Sequence, residues 1–142
     1  MKQDFTNVLE IMKLYRLSHR RVHLELSSTL SKAGLTPLQF NILELLYEQG
    51  ELTISQLMNQ LCATKGNMTV VIKNMVDKEW IYRLPSESDK RSSIIGLLPE
   101  GRKKTESYLP IHHETIRKMY ESFSNEELMM FGDLLHKINE RK

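Results

Sequence analysis

The segment Thr53–Leu98 constrains the fold of this chain more than any other, because its hydrophobic pattern changes from helical to strand-like along its length. Two short helical patterns come first and are joined by a tight polar turn. Two alternating runs, Trp80–Leu84 and Ser92–Leu98, follow and predict a β-hairpin with turn residues and a charged triplet between them. A helix-turn-helix followed by a β-ribbon can insert a helix into the major groove of DNA and place an arm beside it.

Residues that can cap helices mark the expected starts of the helical elements. Thr36, Thr53 and Ser124 are each followed three residues later by Gln or Glu, which is the capping-box pattern. Thr64 can cap the second helix of the central segment, and Pro99 suits the first position of a helix that follows the hairpin. We therefore predict that helices begin at these residues.

The helix predicted over Thr64–Lys78 has one apolar and one polar face. Its apolar residues are expected to point inward: Met68, Val71, Ile72, Met75 and Val76. The other face presents small and polar side chains that can approach base edges and phosphates: Lys65, Asn67, Thr69, Lys73 and Asn74. An ordinary solvated helix face has the same composition, so this face alone does not decide between the two interpretations.

An aspartate two positions before an arginine is the most distinctive feature of the predicted hairpin. Asp89 can hold the guanidinium of Arg91 in a fixed pose through a charge-assisted pair. An arginine posed in this way on a ribbon suits a narrow, electronegative minor groove. Taken by itself, a triplet such as the one that these residues form with Lys90 is more commonly a solvated run of charges.

Long amphipathic patterns flank the central segment on both sides. One helix is predicted from about Asp4 to Ser31, about 40 Å long, which is longer than a single small domain needs. Its apolar stripe comprises Phe5, Val8, Leu9, Met12, Tyr15, His19, Val22, Leu26 and Leu30. A second helical region starts at Pro99, with a break or kink expected at Pro110, and a last helix follows Ser124. Two such terminal regions can meet in a dimer interface.

Composition excludes several classes of protein. The hydrophobic content of 40% includes no apolar run near the about 20 residues that a membrane span requires. The N-terminal residues lack the apolar core of a signal peptide, so we expect a cytoplasmic protein with no membrane partner. The single cysteine, Cys62, excludes an internal disulfide. A net charge of +2 is weak for a nucleic-acid binder, so DNA affinity must come from locally clustered charge.

The sequence contains no motif that indicates catalysis. It has no Gly-rich phosphate loop, no His-Glu-x-x-His and no Gly-x-Ser-x-Gly. Isolated Asp, Glu and His residues occur, but no spacing groups them. We therefore expect neither an enzyme nor a bound cofactor.

Three stretches of the chain together resemble the MarR family of transcription regulators, which are winged helix-turn-helix dimers. The most specific runs from Ile81-Tyr82-Arg83 through Asp89-Lys90-Arg91 to Leu97-Leu98-Pro99-Glu100-Gly101 and is similar to the family's wing signature. The stretches Leu35–Phe40 and Thr64–Thr69 are also family-like, and the resemblance covers nearly the full length. It implies a mainly α fold with a small β-hairpin wing, a DNA-binding lobe over 36–98, and dimerisation helices over 4–33 and 100–142.

The resemblance also implies which residues meet a pseudo-palindromic double-stranded operator. The expected DNA contacts are Thr64, Lys65, Asn67, Thr69, Lys73, Asp89, Lys90 and Arg91. The helix from Thr64 would enter the major groove, while Arg91, oriented by Asp89, would reach the minor groove. Two departures matter. Val70 stands where the family often has arginine, which argues against strong guanine reading by this helix. Leu98 replaces the threonine of the family's Leu-Thr-x-x-Gly run, which removes a helix cap.

Members of this family commonly repress transcription and release DNA when a small phenolic or other amphipathic compound binds between the DNA-binding lobe and the dimer helices. The first helix supplies ring and charged side chains suited to such a pocket: Tyr15, Arg16, His19 and His23. The alternative is that Tyr15 and His19 simply pack within the apolar stripe.

Three other functions remain open at this point. His19 and His23, with His112 and His113, could make a zinc-responsive regulator, although a zinc site needs three or four converging ligands. Cys62 could sense oxidants, but its place in the turn favours a small buried thiol. A winged-helix module that binds protein instead of DNA is the third possibility.

Overall fold

The computed structural model describes residues 5–87 and 92–140 and has a mainly α-helical fold with a small antiparallel sheet. The elements in chain order are α1 (Phe5–Lys32), α2 (Pro37–Gln49), β1 (Leu52–Thr53), α3 (Ile54–Leu61), α4 (Lys65–Asp77), β2 (Ile81–Pro85), β3 (Ser93–Leu97), α5 (Pro99–Met119) and α6 (Asn125–Asn139). The fold class predicted from the sequence, helices with a β-hairpin after a helix-turn-helix, is confirmed.

The predicted capping residues begin their helices. The hydroxyls of Thr36, Thr53 and Ser124 each accept an N–H of the third residue of the helix, and the Gln or Glu there bonds back to the cap N–H. Thr64 caps α4 by accepting the N–H of Asn67 at 3.3 Å. Leu98 offers α5 no side-chain cap, as expected, and proline occupies the first turn of that helix.

One hydrophobic core joins α2, α3, α4 and the sheet to the adjoining halves of α1 and α5. Its buried members are Leu30, Leu35, Phe40, Ile42, Leu43, Leu46, Leu52, Leu57, Met68, Ile72, Met75, Ile81, Ile95 and Tyr108. The rings of Phe40 and Tyr108 meet edge to face at 4.8 Å, and the Tyr108 hydroxyl lies 2.6 Å from Oγ1 of Thr29. These contacts fix α5 against both α1 and α2.

The sheet has the order β1-β3-β2, and both pairings are antiparallel. The hairpin β2–β3 is therefore attached, through β1, to the start of α3. Tyr82 on β2 lies over Gly96 on β3, where an added Cβ would come within 2.2 Å of the Tyr82 ring. The Tyr82 hydroxyl donates to the carboxylate of Glu51, just before β1. The hairpin and the helix-turn-helix thus form one packed unit.

Most of the large apolar side chains that remain exposed lie on two elements. Residues 6–21 of α1 are all exposed, and α6 has no buried residue. The exposed hydrophobic residues of these helices include Val8, Leu9, Ile11, Met12, Leu14, Tyr15, Leu17, Leu24, Leu128, Met129, Met130, Phe131, Leu134 and Ile138. In a single chain, the apolar stripe predicted on α1 is buried only towards its end. Within the described part of the chain, no helix has the length and apolar character needed to cross a membrane.

The prediction that Cys62 is a buried thiol is wrong, because this side chain is exposed. Leu57 is the buried residue of α3, and Leu61, one turn later, is half-buried. Cys62 follows Leu61 and therefore lies about 100° further around the helix from this buried side. Cys62 also ends α3 in a left-handed conformation, with φ 50° and ψ 33°. The Cys62 side chain therefore lies on the surface. The left-handed backbone of this residue makes the turn between α3 and α4.

Of the break or kink predicted at Pro110, the break is absent, because α5 runs without interruption from Pro99 to Met119. Proline lacks the N–H that would bond to the carbonyl of the residue four positions earlier. That residue, Glu106, is exposed, and so is Pro110. Water can therefore take the place of the lost donor, and the helix continues.

Candidate nucleic-acid interface

The orientation of α4 is fixed by its buried side. Met68, Ile72 and Met75 each have 0% exposure and pack in the core, where α4 meets α2, α3 and β2. Because these residues recur at helical spacing, the opposite side of α4 must face solvent. All five residues predicted to contact DNA from this helix and its cap are exposed: Thr64, Lys65, Asn67, Thr69 and Lys73.

Two hydroxyls on this face are already engaged with the backbone, which limits how they can bond to DNA. Thr64 accepts the N–H of Asn67, so its own O–H stays free to donate to a phosphate oxygen. Thr69 donates its O–H to the carbonyl of Lys65 at 2.9 Å, so its oxygen is available as an acceptor. Lys65 and Lys73 form no ion pair with any described residue, and both ammonium groups can meet phosphates.

The hairpin provides the second part of the candidate interface. Its strands pair from Ile81 with Leu97 to Pro85 with Ser93, and the N–H of Ser86 donates to the carbonyl of Ser92 at 3.0 Å. The remaining predicted contact residues, Asp89, Lys90 and Arg91, lie outside the described residues. The expectation that Asp89 poses Arg91 for the minor groove therefore stays a prediction.

Arg83 is an exposed cation on β2 that sequence reasoning did not single out. Its Nε donates to Oγ of Ser93 at 3.0 Å across the hairpin, which holds the guanidinium on the hairpin surface. The available signal was a single charge in an otherwise uncharged strand-like run. Arg83 adds a positive charge to the same hairpin that carries the predicted Lys90 and Arg91.

The four residues predicted to line a ligand pocket are all exposed on α1. The rings of Tyr15 and His19 lie 6.4 Å apart, and those of His19 and His23 lie 6.5 Å apart. Arg16 is exposed beside them. A depression of about 400 Å³ on the described surface lies elsewhere, along α5 between Pro110 and Lys118. In one chain, then, the four side chains form an aromatic and cationic strip on an open helix surface.

The environment of His112 on α5 differs from that of the exposed histidines on α1. Nε2 of His112 lies 3.8 Å from Oε1 of Glu44 on α2, beyond hydrogen-bonding distance, and its ring lies 4.7 Å from that of Phe40. Burial lowers the pKa of His112 and raises the pKa of Glu44, so both carry less charge than they would in water. Nδ1 of His112 is buried without a partner among the described residues.

These histidines do not assemble a metal site in the described part of the chain. No group of three His, Cys, Asp or Glu side chains there is placed to hold a metal ion. Among the described residues, Glu44 is the acidic side chain within 4 Å of His112, while His19 and His23 are exposed on α1. The geometry therefore offers no observation in favour of the zinc alternative.

Comparisons with known protein sequences agree with this geometry. The model of the MarR family matches residues 35–93. YsmB of Bacillus subtilis strain 168, described as an uncharacterized HTH-type transcriptional regulator, is 34% identical over 77% of this chain and 75% of its own. YetL of the same organism, an HTH-type transcriptional repressor, is 28% identical over 92% of this chain and 78% of its own.

Solved structures show the same fold. A mutant MarR from E. coli, complexed with operator DNA, superposes with a TM-score of 0.83 at 22% identity, covering 96% of this chain and 99% of that chain. NadR in complex with 4-hydroxyphenylacetate superposes with a TM-score of 0.78 at 24% identity, covering 92% of each chain. The order of helices and hairpin described above is thus the winged helix-turn-helix arrangement.

Proposed function

Because this chain belongs to the MarR family of DNA-binding transcription regulators, we propose that it is a homodimeric repressor of a pseudo-palindromic operator, released by a small phenolic or amphipathic ligand. The family consists of regulators and not of enzymes. Residues 36–98 form the DNA-binding lobe in this proposal, and residues 4–33 and 100–142 supply the dimer contacts.

The orientation of α4 is the observation that carries the DNA-binding part of the proposal. One side of the helix is fully buried, so the other side is held rigidly at the surface with Lys65, Asn67 and Lys73 exposed on it. In the major groove, the amide of Asn67 can bond to a base edge, while the two lysines neutralise phosphates. Local cations of this kind can bind DNA even though the whole chain has a net charge of only +2.

The hairpin would bind the neighbouring minor groove. Arg83 on β2 is held by Ser93, and the sequence adds Lys90 and Arg91 to the same hairpin. A narrow minor groove has an enhanced negative potential that attracts arginine. In this proposal Arg91, oriented by Asp89, enters the groove, and Lys90 contacts the backbone.

The exposed apolar side chains of α1 and α6 support the dimer. Burying a leucine or methionine side chain contributes roughly 1.5–3 kcal/mol, so stripes of this length are unfavourable in water unless a partner covers them. Gly132 lies in the middle of α6, and an added Cβ there would meet nothing within 4 Å. It is one turn from Leu128 and Leu135, where the absence of a side chain lets a second helix approach closely. A second copy of the chain is the partner that these helices fit.

Two observations support the proposal that the protein represses and is released by a ligand. One comes from the relatives and the other from the side chains of α1. YetL is named a repressor, and NadR has been solved with 4-hydroxyphenylacetate. Tyr15, His19 and His23 form a strip of rings on which a phenol can stack, and Arg16 can pair with a carboxylate. A ligand held there, between the dimer helices and the DNA-binding lobe, would favour a half-site spacing that the operator does not match.

Selection of bound fragments from random-sequence DNA, followed by titration of the selected operator complex with 4-hydroxyphenylacetate or salicylate, tests this function. We expect a motif with two-fold symmetry and an affinity that falls about 5–150-fold at saturating ligand. Arg16→Ala should reduce the ligand response, whereas Lys13→Ala, an exposed cation on the same helix, should not. Failure to enrich any symmetric motif would contradict DNA binding by a dimer, and an unchanged affinity with both compounds would contradict release by phenols.

A further inference from the structure

Val70 is one of two large hydrophobic side chains that the fold of the DNA-binding lobe leaves exposed among the described residues. It is 61% exposed, and it lies midway between Met68 and Ile72, on the opposite side of α4 from the core. From residue 25 to residue 110, the described large hydrophobic side chains that are exposed are Val70 and Leu84. The exposed residues of α1 and α6 form stripes, whereas Val70 stands alone among polar side chains.

The neighbours of Val70 place it in the middle of the face that would meet DNA. Residues three and four apart lie next to each other on a helix. Val70 is therefore flanked by Asn67 before it and by Lys73 and Asn74 after it, and all three are exposed. A groove floor that contacts both Asn67 and Lys73 must also contact Val70, which lies between them.

Valine has no hydrogen-bond donor or acceptor in its side chain, which limits the groups in the major groove that it can contact favourably. Base edges in the major groove present hydrogen-bonding groups at every base pair, and thymine also presents its C5 methyl group. A phosphate or a polar base edge held against Val70 would lose water without gaining a hydrogen bond. The thymine methyl is the largest apolar group that a base edge offers in this groove, and it gains by this contact.

Gly66 is a second, independent sign that α4 approaches an external surface closely. It lies one turn before Val70 on the same face, and an added Cβ would meet nothing within 4 Å. Its φ is not in the left-handed region, so the backbone does not require glycine either. Alanine would favour the helix, yet the chain has glycine. Neither packing nor backbone conformation among the described residues accounts for glycine at this position.

We propose that Val70 recognises the C5 methyl group of a thymine in the major groove, with Gly66 allowing α4 to lie close enough for this contact. The inference rests on the proposed function, in which α4 enters that groove. The lysines on the same face bring the helix to the phosphates, Asn67 supplies hydrogen bonding, and Val70 makes one position of each half-site prefer an A·T pair in one orientation.

Replacing thymine by deoxyuridine tests the contact, because it removes the C5 methyl group and leaves base pairing intact. The operator selected from random-sequence DNA would be prepared with each symmetry-related pair of thymines replaced in turn, and the dissociation constant measured for the wild type and for Val70→Ala. In the wild type, we expect replacement of one thymine pair to weaken binding about three- to fivefold per half-site, because one buried methyl group is lost. The Val70→Ala protein should bind the operator with thymine and the operator with deoxyuridine at that pair with nearly the same affinity.

Lys73→Ala provides a control, because it should weaken binding to both operators while the thymine-to-deoxyuridine ratio stays at the wild-type value. The inference is overturned if no thymine pair shows an effect in the wild type, or if Val70→Ala retains that effect. DNA binding is measured in the same titrations, through the affinity of the wild type and its decrease with salt. A protein that binds the operator but ignores the methyl group would therefore contradict only the role of Val70.

Gly66→Ala tests the close approach separately. Since its Cβ would face open space, we expect a thermal midpoint of unfolding at or above that of the wild type. Affinity for the operator should nevertheless fall at least about threefold, because the methyl group would separate α4 from the groove floor. A Gly66→Ala protein that binds as tightly as the wild type would contradict the close approach of α4.

Discussion

At the scale of single residues, Gly101 packs α5 against the backbone of Trp80, just before β2. An added Cβ at this buried position would lie 2.0 Å from the carbonyl oxygen of Trp80. That carbonyl also accepts the N–H of Leu98 at 3.0 Å, so it cannot shift without losing a hydrogen bond. We expect Gly101→Ala to lower the free energy of unfolding by about 1–3 kcal/mol, measured by urea denaturation at fixed protein concentration.

Gly66→Ala is the matched control for this substitution, because both glycines lie in the first turn of a helix. Only at Gly101 would the added methyl group meet backbone atoms, whereas at Gly66 it would meet none within 4 Å. If the two variants unfolded at the same urea concentration, the close packing of α5 against the hairpin would not contribute to stability.

His112 should make the stability of the protein sensitive to acid. Burial lowers its pKa below the ordinary value of 6.5, so the unfolded chain takes up a proton at a higher pH than the folded chain. The stability contributed by the neutral ring is fully present above about pH 6.5 and is lost as the pH falls through the folded pKa. Glu44 acts in the opposite direction. Burial raises its pKa, so its contribution is lost as the pH rises.

Urea denaturation from about pH 7.5 to about pH 5 separates these contributions. His112→Gln should lose less stability over this range than the wild type does, because glutamine takes up no proton, while Glu44 is common to both proteins. His136→Gln, a substitution at an exposed position on α6, should behave like the wild type. An unchanged pH dependence in His112→Gln would show that protonation of the buried ring does not limit stability.

At the scale of elements, the exposed face of α4 should contact phosphates through Lys73 and bases through Asn67. Lys73→Ala should weaken binding to all DNA sequences alike and flatten the dependence of log affinity on log salt by about one unit. Asn67→Ala should leave the salt dependence unchanged and relax the preference for one base. Competition binding with operator and scrambled duplexes at several salt concentrations measures both effects. Exchange of the two outcomes would mean that α4 lies in the groove with a different rotation about its axis.

The hairpin is expected to depend on one arginine more than on its total charge. Arg91→Ala should weaken operator binding more than Lys90→Ala does, because Asp89 is expected to pose the guanidinium for the minor groove. Dissociation constants for the two variants and for Asp89→Asn measure this difference. Equal losses in Arg91→Ala and Lys90→Ala would remove the distinction between a posed arginine and a general positive charge.

Local chemistry explains why most elements could be predicted from the sequence. Capping boxes depend on residues three positions apart, so Thr36, Thr53 and Ser124 were sufficient to place the starts of their helices. The break expected at Pro110 and the buried thiol expected at Cys62 were wrong because both depend on solvent exposure, which a local pattern does not contain. The pairing of β1 with β3 links residues distant in sequence, and a two-residue strand gives too short a pattern to predict a partner.

At the scale of the whole molecule, the candidate DNA interface follows from sequence better than the rest of the functional surface. The polar face of α4 was readable because helical period alone separates it from Met68 and Ile72. The contact of His112 with Glu44 and the packing of Gly101 under Trp80 arise from tertiary contacts between distant elements, and no local pattern indicates them. The apolar stripes of α1 and α6 are visible in the sequence, but their partner is a second chain in our proposal.

Changing the spacing between the half-sites of the selected operator tests most directly the claim that two copies of α4 read one site. Half-sites in such dimers lie about one helical turn, 34–36 Å, apart. An insertion of about five base pairs at the centre turns them to opposite faces of the duplex, and an insertion of about ten restores their alignment. We predict that the shorter insertion reduces affinity at least about 100-fold and that the longer one weakens it less. Equal affinity for the original operator and the operator with the shorter insertion would contradict binding by a rigid dimer.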